Sequence, residues 1–173
     1  MRDIESHPWA AGNLVVGRSV LDRVDEEARA AYTRDEESCG FLIGPVTEPR
    51  RIDGIMPMVN RANMLHRFDA EQYPRTGRTY FDIDSMKFEN AIAKQAAERR
   101  PVKVLYHSHL DVGAYFSPTD AEVAKSGQGQ PAWDLAYLVT SIRSGSVDDR
   151  KLFVWSPSTG TFEESPLEVD EGR

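Results

Sequence analysis

The sequence contains one cysteine, no long apolar run and little positive charge, and each of these shortages excludes a class of protein. With Cys39 alone among 173 residues, no disulfide can form within the chain, which favours a reducing compartment. No apolar stretch approaches the roughly 20 residues that a membrane span needs. A net charge of −7 is unfavourable for nucleic acid or an anionic membrane as the main partner, since either needs a cationic face.

The first residues also lack the apolar core of an export signal, since Met1 to Pro8 is a polar stretch. We therefore expect a cytoplasmic protein with no membrane contact and a flexible N-terminal lead-in over residues 1–12. Residues 13–170 are predicted to form one compact domain, because a chain of this length can bury a single core. A homodimer is compatible with these properties.

Helical and extended patterns alternate along the chain and predict an α+β fold with a mixed β-sheet rather than a doubly wound parallel sheet. Ser19 is predicted to cap a first amphipathic helix, and Asp84 or Ser85 a second. Residues 60–79 show no clear period, and loops this long inside a small domain are usually functional or disordered. The predicted strands lie at 13–17, 39–45, 51–60, 80–83, 102–106, 133–142, 152–155 and 161–169.

Two histidines follow the apolar strand at 102–106 and indicate a metal site. Side chains alternate along a strand, so His107 and His109 point the same way. Ser117 and Pro118 start a predicted helix that brings in Asp120. Two imidazoles and one carboxylate are enough to hold a zinc ion and leave a fourth position open for water, as in catalytic sites. The alternative is that the paired histidines only pack or form hydrogen bonds.

The residues around this site resemble a known signature. Glu37-Ser38-Cys39-Gly40 precedes His107-Ser108-His109, and seven residues later comes Ser117-Pro118-Thr119-Asp120. This order and spacing is similar to that of the JAMM (MPN+/JAB) metalloproteases. The resemblance covers nearly the whole chain. It implies a single-domain JAMM/MPN-like (cytidine-deaminase-like) fold in three layers, with helices flanking a mixed sheet.

The resemblance also implies a role for each matching residue. His107, His109 and Asp120 would be the zinc ligands, and Glu37 the general base that passes a proton from water to the leaving amine. Ser117 would donate a hydrogen bond to the developing oxyanion, with a role as helix cap as the alternative. Glu37 is preferred to the adjacent Glu36 because the family pattern places one residue between the glutamate and Cys-Gly.

Two further side chains near these motifs are expected to have no part in the chemistry. Cys39 lies at the start of an apolar strand and is expected to be a packed thiol rather than a nucleophile. Asp111 is expected to be a solvated loop acid rather than a fourth ligand.

The family hydrolyses amide and isopeptide bonds after the C-terminal tails of ubiquitin-like proteins. This short chain is similar to the compact bacterial members, including those that release cysteine from a ThiS/MoaD-like sulfur carrier. The alternatives are a deconjugase of a bacterial ubiquitin-like modification system and a non-catalytic binding module that contains a metal. Loops 60–80 and 110–116 are candidates for substrate binding. Arg67, Arg75 and Arg78 could face an acidic carrier, or could be ordinary solvated surface.

Overall fold

The computed structural model describes residues 7–125, 127 and 129–172. Its regular elements alternate between strands and helices along the chain. In chain order they are β1 (Leu14–Gly17), α1 (Arg18–Thr33), β2 (Cys39–Ile43), β3 (Arg51–Ile52), β4 (Gly54–Met58), α2 (Ala62–Phe68), α3 (Ser85–Ala97), β5 (Val102–Leu110), α4 (Pro118–Lys125), β6 (Ala136–Arg143), β7 (Ser146–Ser156), β8 (Thr161–Ser165) and β9 (Leu167–Asp170).

The main sheet has six strands in the order β4-β2-β5-β6-β7-β8, and it is mixed as predicted. Strands β5 and β6 are parallel, whereas the other neighbours are antiparallel. The proline-containing strand β4 lies at the edge, where a missing N–H costs least. The predicted α+β class is confirmed, and β5 lies inside the sheet, with a neighbouring strand on each side.

A second, smaller sheet of order β3-β1-β9 was not predicted. The sequence favoured one strand over residues 161–169, but β8 pairs with β7 in the main sheet and β9 pairs with β1 in the small one. Pro166 lies between them and has no N–H for a ladder. Tyr80–Ile83, also predicted as extended, is paired in neither sheet.

Helices cover both faces of the main sheet, which gives the predicted three layers. Val24 of α1 packs with Val104 and Tyr106 on one face. Phe88 of α3 packs with Leu105 on the other. Because side chains alternate along β5, His107 and His109 project on the side of Leu105 and α3.

Helix α1 begins at Arg18, two residues earlier than a cap at Ser19 would allow. Its N-cap is Gly17, which has no side chain, so Ser19 lies within the first turn and the predicted Ser19 cap is wrong. β1 ends at Gly17 and α1 begins at the next residue, so no loop residue lies between them to serve as a cap. At α3 the prediction is confirmed, because the Asp84 carboxylate accepts the N–H of Lys87.

The N-terminal segment is partly packed against the core. The sequence indicated a flexible lead-in over residues 1–12, of which residues 1–6 lie outside the described part. Pro8–Ala11 forms a 3-10 helix, and Trp9 is buried with its indole N–H donating to the Asp134 carbonyl at 2.9 Å. Burial of a large aromatic side chain stabilises this short helix against the sheet. None of the helices described is long and apolar enough to cross a membrane.

Candidate metal centre

Both histidines lie at the carboxyl end of β5, which continues past the predicted strand to Leu110. Their Nε2 atoms are 3.1 Å apart, and both side chains are buried. The Phe81 ring lies against His107 at 4.8 Å between centroids, and the Tyr115 ring lies against His109 at 4.9 Å. The sheet and these aromatic rings hold the two imidazoles so that one nitrogen of each converges on the same point.

Asp120 reaches this point from the first turn of α4. The N–H of Asp120 donates to Ser117 Oγ, and the N–H of Ser117 donates to Asp120 Oδ2, both at 3.0 Å. This reciprocal pair places Oδ2 at 3.2 Å from the Nε2 atom of each histidine. Burial alone would raise the pKa of Asp120, but the neighbouring His107 and His109 and the Ser117 N–H hold it well below its usual range.

The three converging atoms fit a metal ion. Ligand atoms bound to a tetrahedral zinc at about 2.0–2.1 Å lie about 3.3 Å from one another, close to the spacing of these three. His109 Nδ1 contacts the Gly113 carbonyl at 3.0 Å and must donate to it, which orients the ring with Nε2 toward the Asp120 carboxylate. In the neutral imidazole, this contact leaves the Nε2 lone pair for a metal ion. His107, His109 and Asp120 therefore form a candidate metal site.

Glu37 lies immediately before β2, beside the same site. Cys39 pairs with His107 in an antiparallel register, which places Glu37 opposite His109 and on the same face. Its side chain is 4% exposed, and its carboxylate accepts no hydrogen bond from the residues that the structure describes. Burial, and next the Asp120 charge, raise its pKa well above the ordinary value, against a smaller opposing effect of Arg75. Such a carboxylate is suited to taking up a proton.

The backbone of Glu37 is held firmly by the long segment that follows β4. Its N–H donates to the Gly77 carbonyl at 2.6 Å, and its carbonyl accepts from Asn60 Nδ2 at 3.0 Å. Asn60 also donates to the Tyr80 carbonyl and accepts the N–H of Asp82. The segment at 60–79 therefore supports the site, although most of it has no regular secondary structure.

This segment also contains α2, which was not predicted. The helix spans seven residues and only Ala62 is buried, so its sequence has too little apolar periodicity to be read as a helix. Arg75 of the same segment donates to Thr119 Oγ1 at 2.9 Å. Loop 60–80 thus borders the candidate metal site, as loop 110–116 does through Gly113 and Tyr115.

Two other acidic side chains near the site are turned away from it. The Glu36 carboxylate accepts from Arg34 Nε at 2.9 Å, whereas Glu37 is buried. Asp111, expected to be a solvated loop acid, instead accepts hydrogen bonds from Tyr32, Arg78 and the N–H of Ser144. Its partners come from distant parts of the chain, so its position in a loop suggested more exposure than it has.

Cys39 is a packed thiol, as expected. It is buried next to Phe41, and its Sγ lies 3.6 Å from the Met58 carbonyl. Burial raises the pKa of the Cys39 thiol, which disfavours the thiolate.

Sequence reasoning missed several residues that support the site. Ser108 Oγ accepts the N–H of Ser38 at 2.8 Å, and the N–H of Ser108 donates to the Ser38 carbonyl at 3.1 Å. These bonds fasten β2 to β5 directly beside the ligands. Nothing in the sequence distinguished Gly113 or Tyr115 from ordinary loop residues, because their roles depend on how the loop returns over His109.

The fold and the His-His-Asp group define an α+β domain with a candidate metal centre at the end of a central strand. Residues 17–154 match the family described as prokaryotic homologs of the JAB domain, and the chain belongs to this family. The curated proteins offer no match.

Solved structures share the fold over most of the chain. Protein DSY2949 from Desulfitobacterium hafniense is 18% identical, with a TM-score of 0.62 over 92% of this chain and 94% of that one. A protein from Salinibacter ruber is 25% identical, with a TM-score of 0.60 over 91% and 92%. AF2198, a JAB1/MPN domain protein from Archaeoglobus fulgidus, is 15% identical, with a TM-score of 0.53 over 91% and 100%. These similarities confirm the JAB/MPN-like fold.

Proposed function

We propose that this protein is a zinc-dependent peptidase that hydrolyses the amide bond after the C-terminal tail of a ubiquitin-like or ThiS/MoaD-like sulfur-carrier protein. The observation that carries the proposal is the buried carboxylate of Glu37, which lies opposite His109 beside a three-ligand site. A structural zinc site is usually closed by a fourth protein ligand, whereas a catalytic one keeps a position open. This arrangement favours an enzyme over a binding module.

His107, His109 and Asp120 would hold the zinc ion, which would polarise the scissile carbonyl and acidify water. Glu37 would take the proton from the attacking water and deliver it to the leaving amine. Its raised pKa suits both halves of this transfer, because a more basic carboxylate takes up the proton more readily and the resulting acid can return it.

Ser117 can act as cap and donor through different parts of its hydroxyl. Its oxygen accepts the N–H of Asp120, which leaves the hydroxyl proton free to donate. We assign that proton to the developing oxyanion, where a single donor is worth about 3 kcal/mol of transition-state stabilisation. The two alternatives that the sequence left open are therefore compatible.

A protein substrate is supported by the surface beside the site. Met64 and Phe68 are one helical turn apart on α2, and their exposed fractions are 53% and 84%. Exposed apolar side chains next to one another suit contact with another protein. The edge strand β4 offers unpaired backbone groups that an extended, glycine-rich tail can pair with.

The decisive test is cleavage of a carrier–peptide fusion by the zinc-loaded protein and by Glu37→Gln. We expect the variant to keep its zinc and to lose about 100- to 10,000-fold in kcat, because it can no longer take up the proton. Glu36→Gln is the matched control, since the Glu36 carboxylate is paired with Arg34. It should cleave at the wild-type rate.

Two results would contradict the proposal. Cleavage by Glu37→Gln at the wild-type rate would remove Glu37 from the reaction. No cleavage of any ubiquitin-like or sulfur-carrier fusion by zinc-loaded wild type would refute the peptidase assignment, even with the metal site intact.

A further inference from the structure

Arg75 is a cation beside the metal centre that is held in place without a carboxylate. Its guanidinium donates to Thr119 Oγ1 at 2.9 Å and to the Thr79 carbonyl at 2.6 Å, and it lies over the Tyr80 ring at 5.1 Å. Thr119 is the chain neighbour of Asp120. Uncharged partners therefore fix Arg75 close to the ligands while its charge stays available.

The charge of Arg75 acts on the Glu37 carboxylate, and two other charged side chains near it are paired with other residues. Arg78, three residues further on, forms ion pairs with Asp35 and Asp111. Asp82 forms its ion pair with Arg61. In a chain of net charge −7, a positioned cation without a carboxylate partner is suited to receive an anion from outside.

Arg75 also borders a cleft that suits one side chain. The cleft has a volume of about 290 Å³ and lies between α2 and the segment that follows it. Its lining is largely apolar and includes Leu65, Tyr73 and Tyr80, with Arg75 among them. A single amino-acid residue has the two features that this surface matches, a side chain and a charged carboxylate.

We propose that Arg75 binds the α-carboxylate of the residue released from the tail. This inference rests on the proposed function and narrows its substrate class. The preferred substrate is then a carrier extended by one C-terminal residue with a free carboxylate, rather than a carrier joined to a lysine side chain. Each further residue would move the carboxylate about 3.3–3.6 Å from the scissile bond and out of reach of a guanidinium placed beside Thr119.

The test compares two peptides that end in Gly-Gly-Leu, one with a free carboxylate and one with a C-terminal amide. For the zinc-loaded protein we expect kcat/KM to be about 10- to 100-fold higher for the acid, as for a charge-assisted hydrogen bond. Arg75→Met should lower the acid-to-amide ratio of kcat/KM to about 1, and this ratio cancels any effect of the lost charge on Glu37. Arg78→Met removes the same charge from the same segment and should leave the acid-to-amide ratio at the wild-type value.

A second readout does not depend on turnover. N-acetyl-leucine and its amide are titrated into wild type, Arg75→Met and Arg78→Met and followed by NMR chemical shifts. The advantage of the acid over the amide should be larger in wild type and Arg78→Met than in Arg75→Met. Neither substitution alters a metal ligand, so any carboxylate bound directly by zinc contributes equally to all three proteins.

The outcomes separate this inference from the proposed function. Cleavage of both peptides with no preference for the acid, in wild type and Arg75→Met alike, overturns the role of Arg75 and leaves the peptidase assignment intact. Absence of cleavage of both peptides and of every carrier fusion, together with acid-selective binding that needs Arg75, refutes the peptidase and supports the carboxylate site. Equal binding of acid and amide to wild type overturns the site in either case.

Discussion

Strand β5 buries polar side chains near both of its ends, and the two ends differ in how their hydrogen-bonding groups are satisfied. At the amino end, Lys103 is fully buried, and its Nζ donates to the carbonyls of Pro45, Glu48 and Arg51 at 2.8–2.9 Å. Burial lowers its pKa to about 8, so at pH 7 the ammonium group still carries the three protons that it donates. Each of the three protons of the Lys103 ammonium group therefore has a carbonyl acceptor.

At the carboxyl end, the set of hydrogen-bond partners is incomplete. His109 Nε2 and Asp120 Oδ2 are 3.2 Å apart, and His107 Nδ1 has no hydrogen-bond partner among the residues that the structure describes. Buried polar groups are normally satisfied, so an incomplete set points to something that the protein alone does not supply. Lys103 is thus a buried charge whose partners all come from the chain, whereas the His-His-Asp group is a buried set that could hold a metal ion.

Removal of the Lys103 amine should affect stability but not metal binding. We expect Lys103→Met to lower the free energy of unfolding by about 3 kcal/mol, because three carbonyls lose a charged donor in a buried site. Urea unfolding measures this loss, and zinc content should stay at the wild-type value. Lys87→Met on the exposed face of α3 is the control and should change stability by less than about 0.5 kcal/mol. If Lys103→Met lost zinc and its stability changed little, Lys103 would support the metal site rather than the fold.

At the carboxyl end of β5, displacement of the Gly113 carbonyl should affect metal binding more than stability. Gly113 has φ +93°, and a Cβ there would also approach Arg143 at 3.1 Å. Gly113→Ala should therefore move the carbonyl that orients His109 and weaken zinc affinity about 10- to 100-fold. Competition with a zinc chelator measures this change.

Gly145→Ala is a matched control for backbone strain. Gly145 has φ +80° in the turn before β7, with nothing within 4 Å of a Cβ. It should lose stability to a similar extent, about 1 kcal/mol, and keep wild-type zinc affinity. Equal zinc affinity in the two variants would mean that the Gly113 carbonyl does not orient His109.

Much of the fold and of the metal site could be predicted from local patterns. The apolar run before His107 and the cap at Ser117 placed the histidines and Asp120 on the elements that carry them. A resemblance, rather than a physical pattern, distinguished Glu37 from Glu36. The register between Cys39 and His107 explains this distinction afterwards, because it sets Glu37 opposite His109.

The features that were missed depend on contacts between distant parts of the chain. Trp9 is buried through a hydrogen bond to a residue 125 positions away, and Asp111 is paired with Arg78, 33 positions away. The Asn60 amide holds together three segments, none of which shows this in its own sequence. Periodicity indicates which face of a helix or strand is apolar, but it does not indicate which loop packs against that face.

The central claim is that the carboxyl end of β5 holds one metal ion with an open coordination position. Its most direct test is zinc analysis with X-ray absorption at the zinc edge, on wild type and on His109→Ala. We expect one zinc ion per chain, with only nitrogen and oxygen neighbours at about 2.0–2.1 Å. His109→Ala should fold and lose this zinc ion. Three results would contradict the claim. They are wild-type protein without zinc, a sulfur atom (that of Cys39) at about 2.3 Å from the zinc, and full zinc content in His109→Ala.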